Sequence, residues 1–408
     1  MKRITLTHSS DFKVTTLWEG VLHALLQPSQ IYVDLYSLAF LSPIFLFRSG
    51  EFIQAGDIFA YDQIYPFIRY AAPASGILKI ADDRLVISVS KEDFLQKKHQ
   101  WTNQDLQGCD VTKLTDALVS SGLWPLFRQR PSNRIPDPTH LPQAIYISLD
   151  DSEPYCPRAS FLFQEREHQG YFETAIHALR RLSSQVYVAS PADDISLKLK
   201  FRSFITHDIE GQFPSGHPGI FFCHARDFSE ENVWLLNGYD ALRIGQFLKT
   251  GFYPFKRIIS VSGLPGRRPL YAHAFEGMRI SDVVQGLQKH HTESACTDDY
   301  AILGGILSGR SARGRDVLGV HDRAIHLLNE LPFSKGNQQK YAECVRCDYC
   351  SDACPVSLFP QRLYDAHLNK KPLKGLSDCV GCGLCTYVCP TELPLGDIFR
   401  RAKRQYVT

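Results

Sequence analysis

The sequence predicts a multi-domain α+β protein: an N-terminal β barrel-sandwich, an α/β domain, a small β-grasp unit and a compact α-rich C-terminal domain. Three observations predict it. Short β runs broken by glycines fill the first 85 residues, a β-α-β pattern runs from 143 to 194, and two matched cysteine runs follow residue 343.

Length and composition set the frame. At 408 residues the chain exceeds a single core and calls for several domains. A hydrophobic content of 44% and a charged content of 22% are those of an ordinary globular protein. A formal net charge of +2 argues against a nucleic-acid binder, which would be strongly basic. The start, MKRITLTHSSDFKV, lacks the apolar core and small-residue cleavage site of a signal peptide. The longest apolar stretch, SLAFLSPIFLF (37–47), contains Pro43, is closely bounded by Asp34 and Arg48, and is far short of the ~20 residues that span a bilayer. The expectation is a chain without a transmembrane segment of its own, on the cytoplasmic side and peripheral to a membrane through its partners.

Residues 1–95 are read as the β barrel-sandwich. LFRSGEF, IQAGDIF and AAPASGILKI place Gly50, Gly56 and Gly76 where tight hairpins need φ > 0. The segment resembles the barrel-sandwich of biotinyl and lipoyl carriers, without a lysine at the hairpin tip, so a swinging arm is not expected. Residues 96–255 form the α/β domain. QAIYISLDD (143–151) and SQVYVASPADD (184–194) are β runs that end in acids, and Phe172, Ile176, Leu179 and Leu182 make a helical stripe between them. The unit implies a parallel sheet with a right-handed crossover, whose carboxyl edge is where such folds meet ligands. Asp150, Asp151, Asp193 and Asp194 stand at that edge, though capping the next helix is the commoner role for such acids. No G-x-G-x-x-G or G-x-x-x-x-G-K-[ST] pattern follows either strand.

Residues 256–330 follow a helix-like piece, VWLLNGYDALRIGQFLKTG, and read strand, turn, strand, turn, helix, the order of a β-grasp unit. The glycine-rich GGILSGRSARGRD (304–316) has the makings of an anion-binding nest with Arg310, Arg313 and Arg315; the plainer reading is an exposed loop whose arginines pair with acids of a neighbouring protein in a complex. Residues 335–408 make the last domain, with QRLYDAHLNKK as a helix and Arg400, Arg401, Lys403 and Arg404 as a solvated basic helix face.

The cysteines carry the chemistry. ECVRCDYCSDACP contributes Cys344, Cys347, Cys350 and Cys354; DCVGCGLCTYVCP contributes Cys379, Cys382, Cys385 and Cys389. Each run is C-x2-C-x2-C-x3-C-P, the spacing that holds iron–sulfur cubanes. Three thiolates on a tight turn ligate one cube while the fourth reaches the other. The expected sets are Cys344, Cys347, Cys350 and Cys389 for one 4Fe-4S cluster, and Cys379, Cys382, Cys385 and Cys354 for the second. Zinc would leave surplus ligands at this spacing, and cysteines three apart in tight turns bridge poorly as disulfides. Cys109, Cys156, Cys223 and Cys296 stand singly and read as inert thiols.

SGLWPLFRQRPSNRIPD (121–137), FPSGHPGIFF (213–222), GYDALRIGQFLKTG (238–251) and ILSGRSARGRDVLG (306–319), with PASG at 73–76, resemble the signature stretches of the NqrA family, a component of the sodium-translocating NADH:quinone oxidoreductases. The C-terminal piece is similar to the cluster domain of RnfC, a component of the Rnf electron-transport complex. Both families resemble the flavin-bearing subunit of respiratory complex I. The resemblance implies a Rossmann-like α/β domain over 96–255 and an SLBB-type β-grasp over 256–330. It also implies partner proteins in an Nqr- or Rnf-type membrane complex, and NADH oxidation with quinone reduction coupled to sodium movement. Two departures matter. NqrA carries no cysteine runs, and the glycine-rich FMN cradle of the other relatives is replaced here by 121–137, where Gly122 is the single glycine and Trp124, Phe127 and the arginines crowd the phosphate position. That speaks against FMN and NADH in the usual pocket. The expected role is an electron relay through the two clusters toward quinone, with no side chain as general acid, base or nucleophile. An RnfC-type protein with its own NADH and FMN site, and a structural subunit braced by its clusters, are the alternatives.

Overall fold

The computed structural model describes residues 2–5, 22–25, 27–34, 38, 42–81, 84–90, 97–99, 110–149, 153–226, 232–264, 268–288, 300–328 and 343–406. Cys109, Cys296, Asp150 and Asp151 lie outside the described residues.

The N-terminal strands are β1 (Lys2–Thr5), β2 (Leu22–Ala24), β3 (Gln30–Asp34), β4 (Pro43–Phe45), β5 (Phe52–Ile53), β6 (Ile58–Asp62), β7 (Arg69–Ala71), β8 (Gly76–Ile80) and β9 (Arg84–Val89). Two antiparallel sheets arise from them, in the orders β3-β9-β8-β5 and β4-β6-β7. Alternation sets their faces: in β8 Leu78 turns inward with Ile31, Ile53, Phe59, Leu85 and Ile87, while Ile77 faces out. Gly50 and Gly56 take the expected positive φ. Gly76 does not. It is a glycine because a Cβ there would strike the Ser88 carbonyl on β9.

Next come α1 (Val111–Ser120), a 3-10 turn Trp124–Leu126, β10 (Arg128–Arg130), β11 (Ala144–Ser148), α2 (Ala159–Leu162), α3 (Arg166–Leu182), β12 (Gln185–Pro191), α4 (Ile195–Phe201), β13 (His207–Glu210), α5 (Pro218–Ala225), β14 (Val233–Asn237) and α6 (Gly238–Thr250). The central sheet runs β1-β13-β12-β11-β14-β10, parallel throughout except for β10. It is covered on both sides, and β11 is accordingly buried at every residue. Ile145, Ile147, Val188, Trp234 and Leu236 face α3 and α6, and Tyr146, Ala189, Val233 and Leu235 face Phe221 and Phe222 of α5. Gly245 lets α6 lie close on α3, since a Cβ would strike the Tyr171 carbonyl.

The helix-like reading of VWLLNGYDALRIG divides in two. VWLLN is an interior strand beside the edge strand β10, and the Asn237 side chain accepts from the Asp240 N–H at 2.8 Å to start α6. A short apolar run has no periodicity that separates strand from helix.

The second six-stranded sheet, β18-β17-β19-β15-β16-β2, is built from β15 (Lys256–Ser262), β16 (Leu270–Phe275), β17 (Tyr300–Leu303), β18 (Arg310–Arg313) and β19 (Ala324–Leu328), with α7 (Ile280–Gln288) between β16 and β17. A buried ion cluster joins it to α6: Arg243 donates to Glu276 Oε2 at 3.1 Å and to the Val320 carbonyl at 3.2 Å, and Tyr253 OH donates to Glu276 Oε2 at 3.4 Å. Burial alone would lower the Arg243 pKa, yet Tyr253, Glu276 and Asp240 outweigh it and raise it.

The C-terminal region is α-rich, as its sequence predicts: α8 (Tyr349–Asp352), α9 (Pro360–Leu368), a 3-10 turn Leu376–Asp378, α10 (Leu384–Tyr387) and α11 (Leu395–Tyr406). Leu363, Tyr364, Leu376, Leu393, Leu395, Phe399 and Ala402 form its core, with Cys350 buried among them. No helix among the described residues is long and apolar enough to cross a membrane.

Candidate metal centre

The two cysteine runs fold alike, each residue matching the one 35 positions on. In the first, Ser351 N donates to the Asp348 carbonyl and Cys354 N to the Ser351 carbonyl; in the second, Thr386 N donates to Gly383 and Cys389 N to Thr386. Positive φ recurs in step at Arg346 and Gly381, Asp348 and Gly383, and Ser357 and Glu392. The backbone also points the same N–H groups at sulfur: Leu358 N donates to Cys354 Sγ at 3.3 Å, and Leu393 N to Cys389 Sγ at 3.4 Å. Gly381 N donates to Cys379 Sγ at 3.4 Å.

The fourth cysteine of each run neighbours the other run. Cys344, Cys347, Cys350 and Cys389 line one cavity, closed by Gln361, Tyr364 and Leu393. Cys354 stands in the electrostatic field of Cys379, Cys382 and Cys385 rather than of its own run. Burial, helped by the neighbouring sulfurs, pushes the Cys382 thiol up to about 12 and Cys385 well above its ordinary value. Burial also raises Cys350 and Cys354. Among the described residues no three His, Cys, Asp or Glu side chains converge closely enough for a single ion.

The rest of the chain closes over the second run. Arg130, 2% exposed, donates from Nη1 to the Ser377 carbonyl at 2.7 Å, and from Nη2 to the carbonyl and Oδ1 of Asp378 at 3.2 Å each. Lys403 donates to the Cys379 carbonyl, and Arg400 to the Ser308 carbonyl at 3.0 Å. One contact reaches the end of the first run: His224 Nε2 meets the Pro355 carbonyl at 2.9 Å. A Cβ on Gly383 would strike the Leu307 carbonyl, and one on Gly219 would lie 2.9 Å from Val380 Cγ1. Arg400 and Lys403 therefore turn inward and are not on a solvated helix face.

The other sequence-singled residues are placed as follows. Asp194 caps α4, accepting from Leu197 N at 3.0 Å; Asp193 lies just before it. The 304–309 turn does act as an anion cradle, but its anion is internal: Glu153 Oε1 accepts from Leu307 N at 3.2 Å and Ser308 N at 2.9 Å, and Oε2 from Ser308 Oγ at 2.6 Å. Arg310 pairs within the chain with Asp322 at 3.0 Å, and Arg313 lies over the Tyr300 ring. In the 121–137 stretch Trp124 and Phe127 are fully buried and pack with Trp234 at ring distances of 5.2 and 5.3 Å. Arg128 donates to the Pro125 and Phe127 carbonyls and meets His321 Nε2 at 3.0 Å. His217, the residue before α5, accepts from Gly219 N at 3.0 Å through Nδ1; burial, then Arg130 and Lys403, lower its pKa to about 4, so it is neutral at pH 7. Cys156 is buried and Cys223 half-buried, with burial raising the Cys223 thiol. Arg130, Lys403 and Glu153 give no linear signal as partners of the cysteine region.

A parallel sheet covered on both faces, joined on one chain to a duplicated four-cysteine unit, defines the class: an α/β scaffold bearing a C-terminal domain with the cysteine spacing of iron–sulfur proteins. Family comparison identifies both parts. Residues 109–253 match the NqrA second alpha/beta domain, and residues 343–393 the 4Fe-4S dicluster domain. The chain is 27% identical over 284 residues to the NqrA component of the Na(+)-translocating NADH-quinone reductase of Marinomonas sp., covering 67% of this chain and 61% of that one. It is 25% identical over 298 residues to the NqrA of Neisseria gonorrhoeae, covering 71% and 65%. It thus spans less than two thirds of these relatives' length. Among solved structures, an air-oxidized NAD+-reducing [NiFe]-hydrogenase matches at 12% identity with a TM-score of 0.41, over 76% of this chain and 64% of that one, too slight a likeness to bear on fold or function. The chain is a homologue of these NqrA proteins over its α/β part, with a 4Fe-4S dicluster domain at its C-terminal end.

Proposed function

We propose that the chain is an iron–sulfur electron-transfer subunit of a membrane-associated NADH:quinone oxidoreductase of the sodium-translocating type, peripheral on the cytoplasmic side. In this reading two 4Fe-4S clusters carry single electrons toward quinone. Cys344, Cys347, Cys350 and Cys389 hold the first, and Cys379, Cys382, Cys385 and Cys354 the second. The observation that supports it is the placement of Cys389 beside Cys344, Cys347 and Cys350, and of Cys354 near the second run, on two runs with matching turns; two-cluster ferredoxins share their fourth ligands in this way. The donor set fits the group. Buried thiols held neutral by their surroundings become thiolates only against concentrated positive charge, which the irons supply. When bound, the clusters supply reversible one-electron chemistry at a potential set by charge, burial and hydrogen bonds to sulfur. The chain's own residues hold and tune: Leu358 N, Leu393 N and Gly381 N donate to Sγ atoms, and Leu363, Leu393 and Phe399 keep water from one side. We read residues 1–95 as a barrel-sandwich, 96–255 as Rossmann-like, 256–330 as SLBB-type and 335–408 as the ferredoxin domain.

A structural subunit braced by its clusters is the second reading, favoured by the clamp of Arg130 and Lys403 on the second run. Anaerobic reconstitution with iron and sulfide tests the clusters that both readings need, and electron flux decides between them. The relay predicts about eight irons per chain by the ligand count and two interacting reduced signals by EPR. It also predicts lost electron flux for Cys382→Ser in an otherwise assembled complex. Unchanged flux supports the brace, and a colourless zinc protein removes both.

A further inference from the structure

The two cysteine turns are equal in backbone and opposite in environment. In the second, Val380 packs toward Gly219 and Leu384 is 1% exposed, because the α/β body and the 304–309 turn lie on them. Their counterparts 35 residues earlier are Val345, 61% exposed, and Tyr349, 57% exposed. Every residue from Val345 to Tyr349 is exposed, Cys347 included. The positions that serve as contact residues in one copy have stayed apolar in the other, with nothing of the described chain upon them.

The rim of that bare turn has a sign. Glu343, Asp348 and Asp352 are exposed around it. Arg346 is matched by Asp365 at 3.5 Å, and Arg362 lies over the Phe359 ring at 4.4 Å. Four carboxylates thus face two guanidiniums. An apolar and aromatic centre inside a charged rim is the anatomy of a transient protein interface. A thiol ligand at its middle brings a redox centre within short reach of whatever docks there.

We propose that the turn Cys344–Cys350 is the port of the relay: a docking surface for a separate one-electron carrier protein whose own contact face is basic. The inference rests on the relay reading and adds the end at which electrons cross between molecules. The second turn faces inward, to the chain's own α/β body.

A basic c-type cytochrome serves as the probe. Dithionite reduces the reconstituted protein, excess reductant is removed, and stopped-flow absorbance follows ferric haem becoming ferrous as each electron leaves the chain. The double variant V345R/Y349R is compared with L199R, which adds positive charge at a residue 76% exposed on α4. The port predicts a bimolecular rate lowered about tenfold or more in the double variant and less than about twofold in L199R, since charge at the contact governs encounter. Both variants should keep their iron content and EPR signals. With the unaltered protein the rate should fall as salt rises, which tests the acidic rim without any substitution. Equal slowing in both variants, or no slowing and no salt dependence, overturns the port while leaving the relay standing. A preparation without dithionite-reducible clusters overturns the relay, and the port with it.

Discussion

The first cysteine turn carries Arg346 and Asp348 where the second carries Gly381 and Gly383, yet all four adopt positive φ. Conformation alone therefore does not explain Gly383. Gly383 is pressed against the Leu307 carbonyl, whereas Asp348 stands in the open and accepts from Gln361 Nε2 at 2.6 Å. Gly381 has open space around it and meets only the conformational demand. Two copies of one motif thus separate the need for a left-handed backbone, which Asp and Arg meet at modest strain, from the need for close approach, which only glycine meets.

Exchanging the residues breaks or sharpens this comparison most directly. Gly383→Asp should destabilise the cluster-loaded protein by about 3 kcal/mol or more, because backbone lies where the Cβ must go. The reciprocal Asp348→Gly should stay within about 1 kcal/mol. Thermal melting reads both, and a large cost for Asp348→Gly would mean the first turn is covered after all. Arg130→Ala comes next. It strips the Ser377 and Asp378 carbonyls of a buried charged donor, for a loss on the order of 3 kcal/mol. Hydrogen exchange should rise over 375–385 and stay unchanged over 344–350; a rise in both would make the clamp global.

Acid should loosen the same side. Neutral His326 is buried, meets Ser262 Oγ through Nδ1 at 2.8 Å, and donates from Nε2 to the Gly304 carbonyl at 3.0 Å, so it anchors the turn lying on Gly383. Burial lowers its pKa to about 4 against an ordinary 6.5. The folded state binds fewer protons than the unfolded one in that window. The contribution is complete above pH 6.5 and is lost as pH falls toward about 4, on the order of 3 kcal/mol in all. Melting temperatures between pH 7.5 and 5 should fall less steeply in His326→Gln, and an unchanged slope would assign the acid sensitivity elsewhere. Smallest is Arg346→Ala, at under about 0.5 kcal/mol, since its pair with Asp365 is exposed and screened. A melting shift of several degrees would contradict a bare first turn.

What is legible in the sequence is local. The cysteine spacing, the strands at 144–148 and 185–191, the stripe of α3 and the helix within QRLYDAHLNKK each repeat or alternate within a window, and each is present. The burial of VWLLN between β11 and β10 depends on neighbours far along the chain, and its apolar run reads equally as helix. Arg130 and Asp378 are 248 residues apart, and Glu153 and Ser308 are 155 apart. Such pairings leave no spacing to read, so arginines look like crowding in the 121–137 stretch, or like a solvated tail at 400–404. The destination of Arg130, Arg400 and Lys403 is instead the second cysteine run and the turn that covers it.

Glu153 in the 304–309 turn has a consequence for any phosphate or carboxylate that reaches that turn. The cradle is never offered empty, because its occupant is attached to the same chain and a tethered ligand acts at an effective concentration on the order of millimolar. An outside anion must displace that tethered occupant, so the turn binds a free carboxylate or phosphate more weakly than its bare N–H groups would.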